Sequence, residues 1–219
     1  MTTGQTTGRT TAVLGATGMV GSRVITEAVA RGHRVLALSR KPADERPGVT
    51  PVPVDAGDPD ALRAALTGAS AVVVAVRTEP ADRDFLVGTT RTVLDIAAGT
   101  GMRVLVVGGA GVLRSPGNPA LLVADNPAYV PAEVTSVAAA GVAQLRACEA
   151  HAHADWACLA PPALLAPGER TGRYRRGTGT LLTAADGRSW ISAEDLAVAA
   201  LDELDSPGAD RLFTVVHHG

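Results

Sequence analysis

The stretch "TAVLGATGMVGSRV", Thr11 to Val24, sets three glycines at three-residue spacing between a short apolar run and a segment of helical period. Thr11 to Leu14 has strand-forming character, and Met19 to Arg31 reads as a helix. Gly15, Gly18 and Gly21 therefore occupy the turn that joins a first strand to a first helix. In that setting one glycine permits the tight turn, another lets backbone approach a diphosphate, and a third lets helix and strand pack closely. The helix start offers unpaired amides and a partial positive charge to the phosphates, with Thr17 and Met19 flanking the cradle. The local reading is a dinucleotide-binding turn.

Working outward, strand-like runs recur at Arg34 to Leu38, Thr50 to Val54, Ala71 to Val76, Arg103 to Val107, Trp156 to Leu159 and Leu212 to Val216. Helical segments separate most of them: Pro59 to Leu66, Asp84 to Ala98, Pro131 to Ala150 and Ala193 to Leu204. Such alternation argues for an α/β fold of the Rossmann type: a doubly wound, mostly parallel sheet with helices on both faces. The continuous runs "AVVVAV" and "RVLVVGG" fit strands buried on both sides, because a half-exposed strand alternates with polar residues. Residues 11–219 are expected to form one domain, with residues 1–10 as a frayed tail. Two long segments interrupt the rhythm at 109–131 and 161–190. Loops beyond about 12 to 15 residues are uncommon unless they carry function, and ligands of doubly wound sheets bind outside the carboxyl ends of the strands. Both segments are therefore expected to wall a substrate cleft.

Composition narrows the partners. The 219 residues are 46% hydrophobic and 19% charged, with a net charge of −2. That balance suits a globular chain and gives no general attraction to nucleic acid or an anionic membrane. A small molecule is the expected partner. Cys148 and Cys158 sit in apolar surroundings without paired spacing and read as buried small hydrophobes of a reduced protein. The polar start, "MTTGQTTGR", lacks the apolar stretch of a secretion signal, so a cytoplasmic location is expected. Nothing in the pattern dictates a symmetric interface, which leaves a monomer or a small homo-oligomer.

The end of the second strand addresses the choice of nucleotide. A free ribose 2′-hydroxyl usually meets Asp or Glu there, whereas a 2′-phosphate calls for arginine. "RVLALSRKP" ends in Ser39, Arg40 and Lys41, with no carboxylate. A guanidinium can grip a phosphate through two parallel hydrogen bonds and stack on adenine, and the serine hydroxyl can add a contact. The expected cofactor is NADPH in preference to NADH.

Together "GATGMVGSRV", the Ser-Arg ending of strand two, "VDAGDPDAL", "RVLVVGGAG", "LAPPALLAPGERTG" and "ISAEDLAVAALDEL" resemble the atypical short-chain dehydrogenase/reductases with an NAD(P)H-binding, NmrA-like domain. The resemblance extends to bacterial NADH-flavin reductases related to biliverdin-IXβ/flavin reductase, and spans about Thr11 to Val216. It implies that Asp55 and Ala56 border the adenine. It implies further that Ala75, Val76 and Arg77 line the cofactor, and that Gly108, Gly109, Ala110 and Gly111 lie beside the nicotinamide, with Gly111 toward the substrate. Pro161, Pro162 and Ala163 are implied to present backbone to the carboxamide, and Arg173 and Tyr174 to stand near the cleft.

The typical members of that superfamily protonate a carbonyl with a serine and a tyrosine that precedes a lysine by four residues. Here Tyr129 is followed at that spacing by Glu133, and Gly109 and Ala110 stand where the serine is expected. General acid assistance is worth about 100- to 10,000-fold to a reaction that needs it. A flavin, quinone or conjugated tetrapyrrole spreads incoming charge over its ring, so holding two planes face to face is the protein's main task. The expected function is an NADPH-dependent oxidoreductase passing hydride to such a conjugated or aromatic acceptor, with Tyr129 as the one candidate catalytic hydroxyl. The alternatives are an NmrA-like regulator that senses NADP without turnover, and a tailoring reductase or isomerase of an aromatic polyketide quinone. His151 and His153 fall on different sides of a helix, and His217 and His218 have no partner ligands, so no metal is expected.

Overall fold

Strand-forming runs and amphipathic segments alternate in the computed structural model as they do in the sequence; it describes residues 8–218. In chain order the elements are β1 (Thr10–Leu14), α1 (Met19–Ala30), β2 (Arg34–Ser39), β3 (Val49–Pro53), α2 (Pro59–Ala65), β4 (Ala71–Val74), α3 (Arg83–Thr100) and β5 (Arg103–Val107). There follow β6 (Arg114–Ser115), β7 (Asn118–Leu122), α4 (Thr135–Glu149), β8 (Trp156–Ala160), β9 (Leu164–Ala166), β10 (Tyr174–Gly177), β11 (Trp190–Ser192), α5 (Ala193–Asp205) and β12 (Leu212–His217). Eight strands form one sheet in the order β10-β12-β8-β5-β4-β1-β2-β3. All neighbours pair parallel except β10, which runs antiparallel beside β12. This is the doubly wound α/β fold, and the order reverses between β1 and β4.

The apolar strands are buried on both faces, which explains why they read as continuous runs. Ala12, Leu14, Val72, Val74, Val104 and Val106 enter a core shared with residues of α2, α3 and α4. Their neighbours Val13, Val73 and Leu105 enter a second core with residues of α1 and α5. Alternate side chains of one strand thus serve two layers.

Helix starts show how local sequence sets the ends. Asp58 caps α2, Asp82 caps α3 and Ser192 caps α5, each accepting a backbone N–H in the first turn. Gly18, the cap of α1, has no side chain to do so. At the outer edge β3 reads "VTPVP"; the Val54 N–H donates to the Ser39 carbonyl, so Pro51 and Pro53 fall on the alternate, outward register.

Of the expected tail, residues 1–7 lie outside the described residues. Thr10 already belongs to β1, and the Arg9 carbonyl accepts the Arg34 N–H at 3.0 Å. The segments 109–131 and 161–190 are more ordered than their sequence suggested. The first holds the hairpin of β6 and β7, turning at Gly117 (φ +75°). The second holds β9 and β11, paired parallel, and sends β10 back to the main sheet. The helix expected at Pro131 begins as a 3-10 turn, Ala132–Val134, before α4. Among the described residues no helix is long and apolar enough to cross a membrane.

Candidate functional site

The switch between β1 and β4 places the glycine turn at the crevice. Gly15 has φ +90°, and its N–H and that of Ala16 both donate to the Leu38 carbonyl, at 3.0 and 3.1 Å. A Cβ on Gly15 would stand 2.4 Å from the Ala75 carbonyl oxygen, and one on Gly21 would stand 2.1 Å from the Gly15 carbonyl oxygen. Gly15 therefore serves the turn and its close approach to β4, and Gly21 serves helix-to-strand packing. Gly18 N–H closes the turn onto the Gly15 carbonyl at 3.0 Å, and the Ser22 N–H makes the first helical bond, to Gly18. The amides of Met19, Val20 and Gly21 precede that bond, with no capping side chain and no acidic residue in the first turn. Thr17, Gly18 and Met19 are exposed around this cradle.

At the end of β2, Ser39 is buried, yet its Oγ has no partner among the described residues. Burying an unpaired hydroxyl costs free energy, so such a group calls for a ligand. Arg40 and Lys41 follow, both exposed. The open amides, the glycine cradle that a Cβ would fill and the orphaned hydroxyl fit a dinucleotide.

The other residues implied to line the site fall at the carboxyl ends of neighbouring strands, with differing local roles. Asp55 closes its own turn, Oδ1 accepting the Gly57 N–H at 2.9 Å, and Ala56 accepts the Thr89 hydroxyl at 3.0 Å. Ala75 is tied to β1 by its N–H to Leu14, 2.9 Å, with Val76 half-buried beside it. Arg77 pairs with Glu79 at 3.1 Å. Gly108 donates to the Leu159 carbonyl at 3.0 Å, joining the ends of β5 and β8, and Gly109 and Ala110 start a 3-10 turn. Pro161 and Pro162 are buried, and the Ala163 N–H is taken by Ser189 Oγ at 3.1 Å. That amide is therefore already satisfied by the protein.

Two of the residues expected near the substrate have structural roles of their own. Gly111 is buried, and a Cβ there would meet Ala138 Cβ at 3.2 Å and Ala124 Cβ at 3.3 Å, so its smallness serves the seating of α4. Tyr174 lies on β10 at the sheet edge beyond β12, and its hydroxyl donates to Asp202 Oδ2 of α5 at 2.7 Å. Burial and that carboxylate hold the phenol well above its ordinary value of 10.0. The basic run around it is largely occupied as well: Arg170 binds buried Glu27 at 2.7 and 2.9 Å, Arg176 binds buried Glu203 at 2.6 Å, and Arg175 donates to the Thr183 carbonyl. Arg173 is exposed, just past Thr171 and Gly172, which are held by Asp195 at 2.5 and 2.8 Å.

Tyr129 packs its ring against the first core, and Glu133 at the lysine spacing is exposed. No acid pair is assembled there. His151 closes the end of α4 by accepting the Ala154 N–H at 3.1 Å, and His217 stacks on Trp190 at 4.2 Å. Both cysteines are buried and free, and burial first of all pushes the Cys148 thiol up to about 12. Buried Asp195 and Glu27, which hold the second long segment, were not singled out as its anchors from sequence. Their partners lie 23 to 143 residues away, a distance at which no local spacing signals a pairing.

Comparison with known proteins places these features among relatives. The profile of a family described as NAD(P)H-binding matches residues 15–207. The uncharacterized protein YwnB of Bacillus subtilis (strain 168) is 32% identical over 208 residues, covering 93% of this chain and 96% of that protein. A crystal structure from Burkholderia pseudomallei, provisionally assigned as an exported protein, is 37% identical with a TM-score of 0.85, covering 95% of this chain and 100% of that one. A Streptococcus pneumoniae TIGR4 protein provisionally assigned as an NADH-flavin reductase is 28% identical with a TM-score of 0.85, covering 96% and 100%.

Proposed function

The chain belongs to the NAD(P)H-binding family, and from that premise we propose that it is a reductase that uses NADPH in preference to NADH and passes hydride to a conjugated ring. The observation that carries the coenzyme preference is the end of β2, where the buried, partnerless Ser39 Oγ adjoins exposed Arg40 and Lys41 and no carboxylate is present. Resemblance to the Streptococcus pneumoniae TIGR4 protein provisionally assigned as an NADH-flavin reductase supports the acceptor class.

The chain's own contribution is binding and orientation. The uncapped amides of Met19, Val20 and Gly21 would hold the diphosphate, Ser39 and Arg40 the 2′-phosphate, and the glycines after β5 leave room beside the ring. When bound, the reduced nicotinamide supplies the hydride. Without a Tyr/Lys pair, the protein favours acceptors whose rings delocalise the added charge, and water completes protonation. Titration with NADPH and NADH by calorimetry, followed by NADPH oxidation in the presence of free flavin, quinones and biliverdin, tests the reading. Saturable NADPH binding with turnover of at least one such acceptor is expected; absence of coenzyme binding or of all turnover overturns it.

A further inference from the structure

We propose that this chain has a second anion site, in the groove between α3 and α4, that takes a compact polyphosphate; the site stands independently of the coenzyme reading above. Arg83 and Arg91 of α3 and Arg146 of α4 line a groove of about 260 Å³, together with one acid, Asp84. Arg83, Val87 and Arg91 recur at four-residue spacing, so one face of α3 carries a guanidinium on either side of a half-buried valine. Arg146 enters from the facing helix. The bed of the groove is completed by Ala143 and Ala147, whose small side chains leave depth between the helices. Beside it Gln144 Nε2 donates to Thr90 Oγ1 at 3.0 Å, both side chains being buried. The two walls are thus pinned to each other.

Charge is the second observation. Arg23, Arg31, Arg103, Arg170 and Arg176 all bind carboxylates. Arg83, Arg91 and Arg146 are exposed and make no ion pair or side-chain hydrogen bond among the described residues. Other exposed arginines without partners, such as Arg40, Arg114 and Arg173, belong to separate strand ends, whereas these three share one groove. The acids nearest along the helices do not neutralise them. Asp82 caps α3 through the Phe85 N–H at 2.9 Å, Asp95 holds His151 at 3.2 Å, and Glu149, three residues after Arg146, stays exposed and unpaired. Three guanidinia against Asp84 alone leave an excess of positive charge, and a cleft of one prevailing sign concentrates the field. Arg83 stands in the first turn of α3, where a cation opposes the helix dipole, so helix stability does not account for it. A guanidinium fork matches the oxygens of a phosphate. Arg83 and Arg91 are about 12 Å apart along the helix axis, so an anion that meets both carries charge at more than one place. The groove is smaller than the roughly 300 to 1,000 Å³ of pockets that enclose drug-sized molecules. A bare chain of two or three phosphates is the class that fits, whether free or as the tail of a nucleoside triphosphate.

The test is calorimetric titration of the full chain at low salt with tripolyphosphate, orthophosphate, ATP and hexaglutamate. A single saturable site for tripolyphosphate is expected, about tenfold or more tighter than for orthophosphate. The double variant Arg91→Glu with Arg146→Glu, at exposed positions, is expected to weaken it about tenfold or more with the midpoint of chemical unfolding little changed. Asp84→Asn is expected to tighten it about threefold. Arg40→Ala, at the end of β2, should leave it unchanged. ATP binding as tightly as tripolyphosphate assigns the site to nucleotide tails as well as free chains, and weaker ATP binding assigns it to free chains. Absence of a saturable site, unchanged affinity in the double variant, a loss in Arg40→Ala, equal affinity for orthophosphate or tighter binding of hexaglutamate overturns the inference. Should the double variant fail to fold, Asp84→Asn decides, and unchanged affinity there overturns it. The reductase reading stands or falls on its own titration with NADPH.

Discussion

Arg40 stands exposed beside a serine whose buried hydroxyl has no partner among the described residues, and the proposed choice between coenzymes rests on these two residues. Loss of a charge-assisted contact weakens binding by about 1.5 to 3 kcal/mol. Arg40→Ala is therefore expected to reduce NADPH affinity by that amount in a calorimetric titration, with NADH affinity nearly unchanged. Equal losses for both coenzymes would place the guanidinium outside the 2′-phosphate contact. Tyr129 offers the converse case. Its ring packs on the core, and Tyr129→Phe is expected to change kcat by less than about threefold, whereas loss of a working general acid costs about 100-fold or more. Single residues such as Gly15 and Gly21 were legible in the sequence because their demands are local: a positive φ and two carbonyl oxygens within 2.4 Å of where a Cβ would be. The packing role of Gly111 was not legible, because its demands are not local. It sits in a glycine-rich run, but its neighbours Ala124 and Ala138 come from segments whose placement no spacing reveals.

The segment between β9 and β10 is held to α1 and α5 by carboxylates rather than by apolar burial. Arg170 makes two bonds to Glu27, Gly168 N–H donates to Glu194 at 2.7 Å, and Thr171 and Gly172 bind Asp195. Glu194 also accepts Arg23 Nε at 3.0 Å, so the same clamp reaches the first turns of α1. The bond from Arg170, reinforced by Arg31, holds the Glu27 carboxyl below its ordinary value of 4.5 against the opposing effect of burial. A depressed carboxyl stabilises the fold above its unfolded value and loses that contribution as pH falls through the lower folded one. Arg170→Ala leaves Glu27 to Arg31 alone and is expected to cost about 1 to 3 kcal/mol at pH 7 in urea unfolding. The gap from the parent protein should hold down to about pH 4.5 and close as the solution becomes more acid. A gap that persists at pH 2 would assign the loss to packing instead. Seven main strands and five helices were legible to within a few residues, because burial on two faces and helical period leave periodic marks. The short strands β6, β7, β9, β10 and β11 were not. Two- to five-residue strands carry too few alternations to register, and β10 is set by its partner β12.

Across the whole molecule, buried Glu203 joins three distant parts: Arg103 of β5 at 2.7 Å, Arg176 of β10 at 2.6 Å and the Gly208 N–H at 3.2 Å. Removing one member of a buried ionic group leaves the others uncompensated and costs about 3 to 5 kcal/mol. Glu203→Gln is expected to lower stability by an amount in that range, read as a fall in the midpoint of chemical unfolding with little change in NADPH affinity. An unchanged midpoint would show that the amide satisfies both guanidinia. The two ends of the sheet differ in a further respect. Along the outer side of β3 the Val49 N–H is taken by Arg46 at 2.9 Å, and the two positions that would next present a donor are Pro51 and Pro53. A foreign chain approaching that flank meets carbonyls and no amide hydrogens, so it cannot zip on as a ninth strand. The protein's first crossover, the proposed seat of the coenzyme, is thereby built next to a border that resists fibrous growth.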